Sequence, residues 1–212
     1  MRKFDYSFLK RISVPADIMN YATSIYEMKA KAELRRSDFA EVFSAMESVA
    51  KIQSVKSSNA IERIITTDKR IRDIVNKSTA PQGHNELEIA GYRDALDLIH
   101  GSYSEIPFSE KSILELHRIL LQPRGDDLAG RYKTEDNFII ETDREGVRSV
   151  RFTTVPASET AFAMEQLILA YHAAYLEAEI NPLMLITCVI LDLLCIHPFR
   201  NVNGRMSRLL SL

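Results

Sequence analysis

Apolar residues recur at three- and four-residue spacings along most of the chain, which is the periodicity of helices that bury one face. Prolines and clusters of Gly, Ser and Asp separate these segments. The pattern predicts helices over residues 15–34, 37–51, 58–66, 69–76, 86–100, 109–121, 158–176, 182–196 and 203–212. Ser109 and Ser158 are predicted N-caps, and Pro182 stands at a favourable first-turn position. The predicted fold class is all-α.

Residues 137–154 break this helical pattern. β-branched and aromatic residues run or alternate on both sides of a turn with the sequence Thr-Asp-Arg-Glu-Gly, which is typical of a β-hairpin. Phe138, Ile139 and Ile140 fall on its first strand. The sequence therefore predicts a helical bundle that carries one hairpin.

The domain organisation follows from length and from the lack of a dividing linker. The 212 residues suit one domain with a sizeable core, and no repeat or Pro/Gly-rich linker separates two cores. We expect residues 1–80 to form an N-terminal helical region and residues 81–212 to form the main core. The last predicted helix is short and ends on the apolar run Leu-Leu-Ser-Leu without a stop signal, so we expect the chain to be truncated there.

Composition narrows the classes of partner and the compartment. The 27 Lys and Arg residues are balanced by 29 Asp and Glu residues, so neither nucleic acid nor a membrane surface is indicated as a partner. The apolar run 182–199 is interrupted by Asp192 and His197 and predicts a buried helix rather than a membrane span. Cys188 and Cys195 lie about two turns apart on one helix face, too far for a disulfide. Buried free thiols, and the lack of a signal-peptide core, predict a cytoplasmic protein.

The most informative stretch is residues 197–208, with the sequence His-Pro-Phe-Arg-Asn-Val-Asn-Gly-Arg-Met-Ser-Arg. A proline break and a glycine-containing turn open a predicted helix that carries Arg205 and Arg208. The unpaired N–H groups at such a helix end, together with arginines, suit the binding of phosphates. Composition alone leaves open a plain helix–turn–helix junction with solvated arginines.

This stretch resembles the signature of the Fic family, His-Pro-Phe-x-(Asp/Glu)-Gly-Asn-Gly-Arg-x-x-Arg, and departs from it at Asn201 and Val202. The resemblance covers about residues 57–212 and implies a Fic-type helical bundle in which the hairpin is a flap. It also implies an adenylyltransferase (AMPylator), which moves AMP from ATP to a Ser, Thr or Tyr hydroxyl of a target protein. ATP and that target protein would be the partners of the chain.

The resemblance also assigns roles to individual residues. His197 would be the general base that takes the hydroxyl proton, a task suited to an imidazole. In the family the first arginine of the signature meets the α- and β-phosphates and the second meets the γ-phosphate. The nucleotide-binding residues here would be Asn203, Gly204, Arg205 and Arg208. The strand residues Phe138, Ile139 and Ile140 would align the target backbone as an added strand.

The two departures fall where metal and loop chemistry are expected. Asn201 replaces the carboxylate that holds Mg²⁺ in the family, and a neutral amide supplies no charge to a hard cation, so Mg²⁺ binding should be weakened. Val202 replaces a glycine and adds a stiff side chain where the loop could require a left-handed backbone. An alternative hypothesis follows: a degenerate Fic domain that binds nucleotide or a partner with little transfer.

A second motif lies upstream, Ser57-Ser-Asn-Ala-Ile-Glu-Arg, and resembles the family's inhibitory motif (Ser/Thr)-x-x-x-Glu-(Gly/Asn). Ser58 and Glu62 fit this motif, while Arg63 departs from its small last residue. A helix capped by Ser58 would place Glu62 one turn in, where its carboxylate could pair with Arg208. That pair would remove the γ-phosphate ligand and inhibit the protein.

The apolar end of the chain leaves a third hypothesis open. Leu209, Leu210 and Leu212 would be exposed on the last predicted helix, which is typical of a surface that contacts another segment or protein. The chain would then be a helical interaction module, bound by a partner protein or forming a homodimer.

Overall fold

The computed structural model describes residues 4–212, so the first three residues of the predicted N-terminal region 1–80 lie outside the described residues. The prediction of an all-α fold with one hairpin is confirmed. The described part of the chain contains these helices: α1 (Ala16–Arg35), α2 (Ala40–Ile61), α3 (Asp68–Val75), α4 (Gly83–Ser102), α5 (Glu110–Leu121), α6 (Thr160–Tyr175), α7 (Pro182–Ile196) and α8 (Asn203–Leu210). The hairpin joins β1 (Phe138–Thr142) to β2 (Arg148–Thr153).

Helix α4 lies at the centre of the core. It packs against α2, α3, α5 and α8, and α6 and α7 pack against each other. The approach of α4 to α5 is close because Gly91 has no side chain: a Cβ at that position would overlap the carbonyl oxygen of Leu120. Tyr92 and Leu96 of α4 are buried. This packing holds α2 and α8, which carry the two motifs, against one central helix.

The helix boundaries predicted around Ser58 were wrong. The segments 37–51 and 58–66 were expected to be separate helices, but α2 runs without a break from Ala40 to Ile61. Ile52 and Val55 continue the apolar periodicity across the interval, and it contains no Gly or Pro that would end a helix. Ser58 therefore lies in the last turn of α2 and is not an N-cap.

The other start signals had mixed outcomes. Ser109 is the N-cap of α5, with its Oγ accepting the N–H of Ser112, and Pro182 stands in the first turn of α7 as predicted. Ser158 is not a cap, because residues Ala157–Glu159 form a 3-10 turn and α6 begins after it at Thr160. Cys188 and Cys195 do not form a disulfide, as expected, but they are half-buried rather than buried.

The hairpin is an antiparallel two-stranded ribbon. Phe138 pairs with Thr153 and Thr142 pairs with Arg148, and the register shifts at a bulge between Ile139 and Ile140. Every residue of both strands is exposed, so the ribbon projects from the helical core.

A separate observation concerns membranes. Among the helices of residues 4–212, none combines the length and the apolar character that crossing a membrane requires.

Candidate functional site

His197 lies at the junction between α7 and the loop that leads to α8. Its backbone is left-handed, with φ of 54°, and its N–H donates to the carbonyl of Leu193 at 2.9 Å, which ends α7. The imidazole is half-buried, and Nδ1 lies 3.4 Å from the carbonyl of Leu194. Burial lowers the pKa of His197, the contact with Leu194 opposes this, and the charge of Lys133 lowers it further. At neutral pH the imidazole is therefore in its basic form.

The loop after His197 is fixed by Asn203 and by the ring of Phe199. The Asn203 amide accepts the N–H of Phe199 at 3.0 Å and donates to its carbonyl at 2.7 Å, which closes the loop on itself. Phe199 is fully buried and stacks on His117, with ring centroids 3.8 Å apart. The side chain of Asn203 thus braces the loop, and its predicted contact with a nucleotide stays a prediction.

Val202 stands immediately before α8 in a left-handed conformation with φ of 63°. Its carbonyl accepts the N–H of Met206 at 2.9 Å, which begins the helix. A β-branched residue is disfavoured in this region of backbone space, where glycine carries no such penalty. The loop does require the left-handed backbone that the sequence suggested at this position, and Val202 adopts it under strain.

Arg205 points into the core and not into solvent, and only 3% of it is exposed. Nη1 lies 2.5 Å from Oε2 of Glu88 on α4, and 3.4 Å from the amide oxygen of Asn59 on α2. Glu88 also pairs with Arg124. Arg205 is therefore held in a buried charge cluster, and its predicted role as a phosphate ligand stays a prediction.

Arg208 contacts the last turn of α2. Its Nε donates to Oγ of Ser58 at 2.7 Å, while Nη2 donates to the Ser58 carbonyl and to Oε1 of Glu62, both at 3.0 Å. The Glu62 carboxylate also lies over Gly204 in the first turn of α8, where a Cβ would overlap Oε1. The structure thus brings Ser58, Glu62, Gly204 and Arg208 together across an interval of 146 residues between Glu62 and Arg208.

The end of α2 explains how Glu62 is presented. Glu62 is the C-cap residue, and Arg63 follows it with φ of 60°. The N–H of Arg63 donates to the carbonyl of Ala60 and the N–H of Ile64 to that of Asn59, the pattern of a Schellman helix end. Glycine and asparagine tolerate this left-handed position best. Arg63 therefore occupies a position whose backbone favours the small residue of the inhibitory motif.

The base of the hairpin is tied to the His197 loop by a buried lysine. Nζ of Lys133 donates to Asn137, to Thr154 and to the carbonyl of Ile196. Asn137 directly precedes β1 and Thr154 directly follows β2, so both ends of the ribbon share this contact. The Phe138, Ile139 and Ile140 strand is thus anchored near the loop that carries His197.

A divalent metal ion has few ligands here. Asn201 is exposed and offers a neutral amide oxygen, and the described residues contain no cluster of three or more His, Cys, Asp or Glu side chains that could hold an ion. These residues do not fit a resident metal centre, because hard cations prefer carboxylates.

Several residues of the site carried no signal in the sequence. Glu88 and His117 are separated from residues 197–208 by long stretches of chain, and no motif marks them. Lys133 falls in residues 130–137, which resemble the Fic family's lead-in to the flap, but nothing in that segment indicates that its side chain is buried. Burial of a Glu, a His and a Lys becomes visible only when the helices are packed. Asn137 and Thr154 bounded the predicted hairpin, yet their role as its anchors was not predictable.

The fold and site define a class: a helical domain in which a histidine loop, an arginine-bearing helix and a β-hairpin are held together, with a second helix presenting a carboxylate to the arginine. A family model of the Fic/DOC family matches residues 107–212, which is half of the chain. The chain belongs to the Fic/DOC family.

Solved structures of Fic proteins share this fold. A Fic domain containing signaling protein from Bacteroides thetaiotaomicron VPI-5482 is 23% identical with a TM-score of 0.68, over 81% of this chain and 64% of that one. A Fic family protein from Desulfovibrio desulfuricans G20 is 19% identical with a TM-score of 0.73, over 94% and 57%. Fic-1 from C. elegans is 20% identical with a TM-score of 0.63, over 92% and 58%.

The alignments also define how much of those proteins is represented. The chain spans about three-fifths of the length of these solved structures. No curated protein matches the chain.

Proposed function

We propose that the chain is a protein adenylyltransferase that is held inactive by its own helix α2. It would transfer AMP from ATP to a Ser, Thr or Tyr hydroxyl of a target protein. The observation that carries this proposal is the position of the Glu62 carboxylate, which lies over Gly204 at the start of α8 and pairs with Arg208 one turn further along. A helix N-terminus with an arginine favours a negative group, and Glu62 supplies one in the absence of a phosphate.

His197 provides the chemistry for the transfer step. Its imidazole takes the proton of the target hydroxyl as the hydroxyl oxygen attacks the α-phosphorus of ATP. A new P–O bond to the target forms, the bond from the α-phosphorus to the bridging oxygen breaks, and pyrophosphate leaves. The lowered pKa of His197 keeps the imidazole able to accept that proton at neutral pH.

The exposed hairpin supplies a means of positioning the target. The two strands pair with each other on either side of the bulge, and every residue of both strands is exposed. A target segment could add to a free edge through main-chain hydrogen bonds, with side chains such as Ile140 contacting it. This mode selects an extended segment and leaves the identity of its hydroxyl residue open to Ser, Thr or Tyr.

The test uses ATP labelled on either the α- or the γ-phosphate, incubated with Mg²⁺, a protein lysate and either the wild-type chain or its Glu62→Gly variant. The α-label should become covalently attached to protein, and the γ-label should not, because it leaves with pyrophosphate. Attachment of the γ-label would indicate phosphorylation instead. No α-label with either form, under conditions where an active control enzyme works, would rule out the proposal.

A second candidate function is a domain that binds nucleotide with little transfer, and the observation that favours it is the loop of Asn201 and Val202. Asn201 supplies no negative charge, and Val202 is strained at φ of 63°. We expect the double substitution Asn201→Asp with Val202→Gly to raise the transfer rate about tenfold or more, since a carboxylate replaces an amide near the phosphates and strain of about 1–2 kcal/mol is relieved.

The measurement for this second candidate is the rate of α-label transfer against Mg²⁺ concentration, in the Glu62→Gly background. Val202→Gly alone separates loop strain from metal affinity, because it leaves Asn201 in place. A large gain with a lower Mg²⁺ requirement assigns the defect to Asn201. Equal rates in all forms would show that the two departures do not limit transfer.

A further inference from the structure

Lys133 is a buried lysine that the proposed transfer chemistry does not use. It lies between α5 and the hairpin and is 4% exposed. Its Nζ donates to Oδ1 of Asn137 at 2.8 Å, to Oγ1 of Thr154 at 2.9 Å and to the carbonyl of Ile196 at 3.2 Å. An ammonium carries three donor hydrogens, so all of them are used. This is a specific arrangement and not a lysine that has merely been covered.

The same residue contacts the backbone on both sides of His197. Its side chain bonds the carbonyl of Ile196, and its own N–H donates to the carbonyl of Pro198 at 2.9 Å. Lys133 therefore holds the carbonyl of the residue before the left-handed His197 and the carbonyl of the residue after it. The backbone of His197 has φ of 54°, so the orientation of its side chain depends on these flanking contacts as well as on the end of α7.

Lys133 also holds the two ends of the hairpin. Thr154 Oγ1 donates to the Asn137 side chain at 2.6 Å and lies 2.7 Å from its carbonyl, and Asn137 Nδ2 donates to the carbonyl of Phe199 at 3.0 Å. The two strand ends and the His197 loop thus share one hydrogen-bonded cluster, which we call the Lys133 cluster: Lys133, Asn137, Thr154 and the carbonyls of Ile196 and Phe199. Beyond these ends, every residue of both strands is exposed.

We propose that Lys133 is a positioning residue that sets the hairpin and His197 in one fixed relation, so that a segment bound on the flap meets the imidazole. Its consequence for transfer rests on the proposed function. The geometric relation does not, and it is tested separately.

The charge of Lys133 has its own effect. Burial lowers the pKa of Lys133 to about 8, against an opposing effect of Asp136, so the side chain is mostly an ammonium at neutral pH. That positive charge disfavours a second one on His197. The pKa of His197 is thus set by burial of the ring, by the Leu194 carbonyl of α7 and by the charge of Lys133. The pKa of Lys133 is set by its burial and by Asp136.

Two substitutions separate the hydrogen bonds from the charge. Lys133→Met removes both, whereas Lys133→Gln removes the charge and keeps an N–H donor. Two readouts need no transfer activity: the pH midpoint of the His197 ring by NMR, and the hydrogen exchange of backbone amides in β1 and β2. Lys111→Met, an exposed lysine on α5, is the matched control.

In Lys133→Met the His197 midpoint should rise, and the hairpin amides should exchange at least tenfold faster, because hydrogen bonds worth about 1 kcal/mol each are lost. In Lys133→Gln the midpoint should rise equally while exchange stays closer to wild type. Lys111→Met should change neither. A His197 midpoint and hairpin exchange that both match wild type in folded Lys133→Met would overturn the proposal.

Should Lys133→Met fail to fold, Thr154→Val provides the second route, because it deletes one acceptor at the end of β2 and leaves the charge in place. Hairpin exchange should then accelerate with an unchanged His197 midpoint, and unchanged exchange would again overturn the proposal.

If transfer by the active form exists, Lys133→Met should also raise KM for the target protein. Loss of that KM effect, with the NMR results as expected, would count against the proposed function and not against the Lys133 cluster.

Discussion

Replacing Glu62 by glycine is expected to raise the rate of AMP transfer at least tenfold. The variant removes the carboxylate from Nη2 of Arg208, which keeps its contact with the Ser58 carbonyl, and clears the space over Gly204. The N–H groups at the start of α8 then become available to phosphates, and Arg208 no longer has a carboxylate as its partner. The pair itself is partly exposed, with side-chain exposures of 29% and 39%, and such pairs contribute about 1 kcal/mol or less. Most of the gain therefore comes from removing the carboxylate as an occupant of the site.

A second substitution, Glu62→Gln, distinguishes charge from occupancy. The amide keeps the size of the side chain and can accept from Arg208, but it presents no negative charge to the helix end. We expect an intermediate rate, measured as α-label transferred per minute at saturating ATP. Equal rates for wild type, Glu62→Gln and Glu62→Gly would show that α2 does not inhibit, even if transfer occurs.

The contact between Glu62 and Arg208 was predictable, but its local geometry was not. The spacing of Ser58 and Glu62 in a family-like motif identified the partner across the chain. The expected Ser58 cap was wrong because α2 continues through the serines and presents Glu62 from its C-terminal end. A C-cap followed by a left-handed Arg63 is a weak signal in a sequence when the usual glycine is absent.

The buried charges show why the rest of the site could not be predicted. Glu88 meets Arg205 only because α4 packs against α8, and Lys133 meets Ile196 only because the segment before β1 crosses the end of α7. Periodicity indicates which face of a helix is buried, and it gives no information on which helices become neighbours. Motif resemblance located the residues of the loop, whereas packing supplied the residues that hold them.

Replacing His197 by alanine is expected to lower the transfer rate by about 10²–10⁴-fold, the usual contribution of a general base. The assay is α-label transfer in the Glu62→Gly background, where no carboxylate pairs with Arg208. His100→Ala, an exposed histidine at the end of α4, is the matched control and should leave the rate unchanged. Nucleotide affinity should be similar in all three forms, because His197 acts on the hydroxyl and not on the phosphates.

The pH dependence tests the same assignment without a substitution. The pKa of His197 lies below its ordinary value of 6.5, chiefly because the ring is half-buried. Above that pKa the imidazole is unprotonated and the rate should be flat; below it the ring takes up a proton, loses its basic form and the rate should fall with decreasing pH. Because Lys133 contributes to the low pKa, Lys133→Gln should move the acid limb to higher pH. The absence of an acid limb would count against His197 as the general base. A limb that stays in place in Lys133→Gln and persists in the residual rate of His197→Ala would belong to another group.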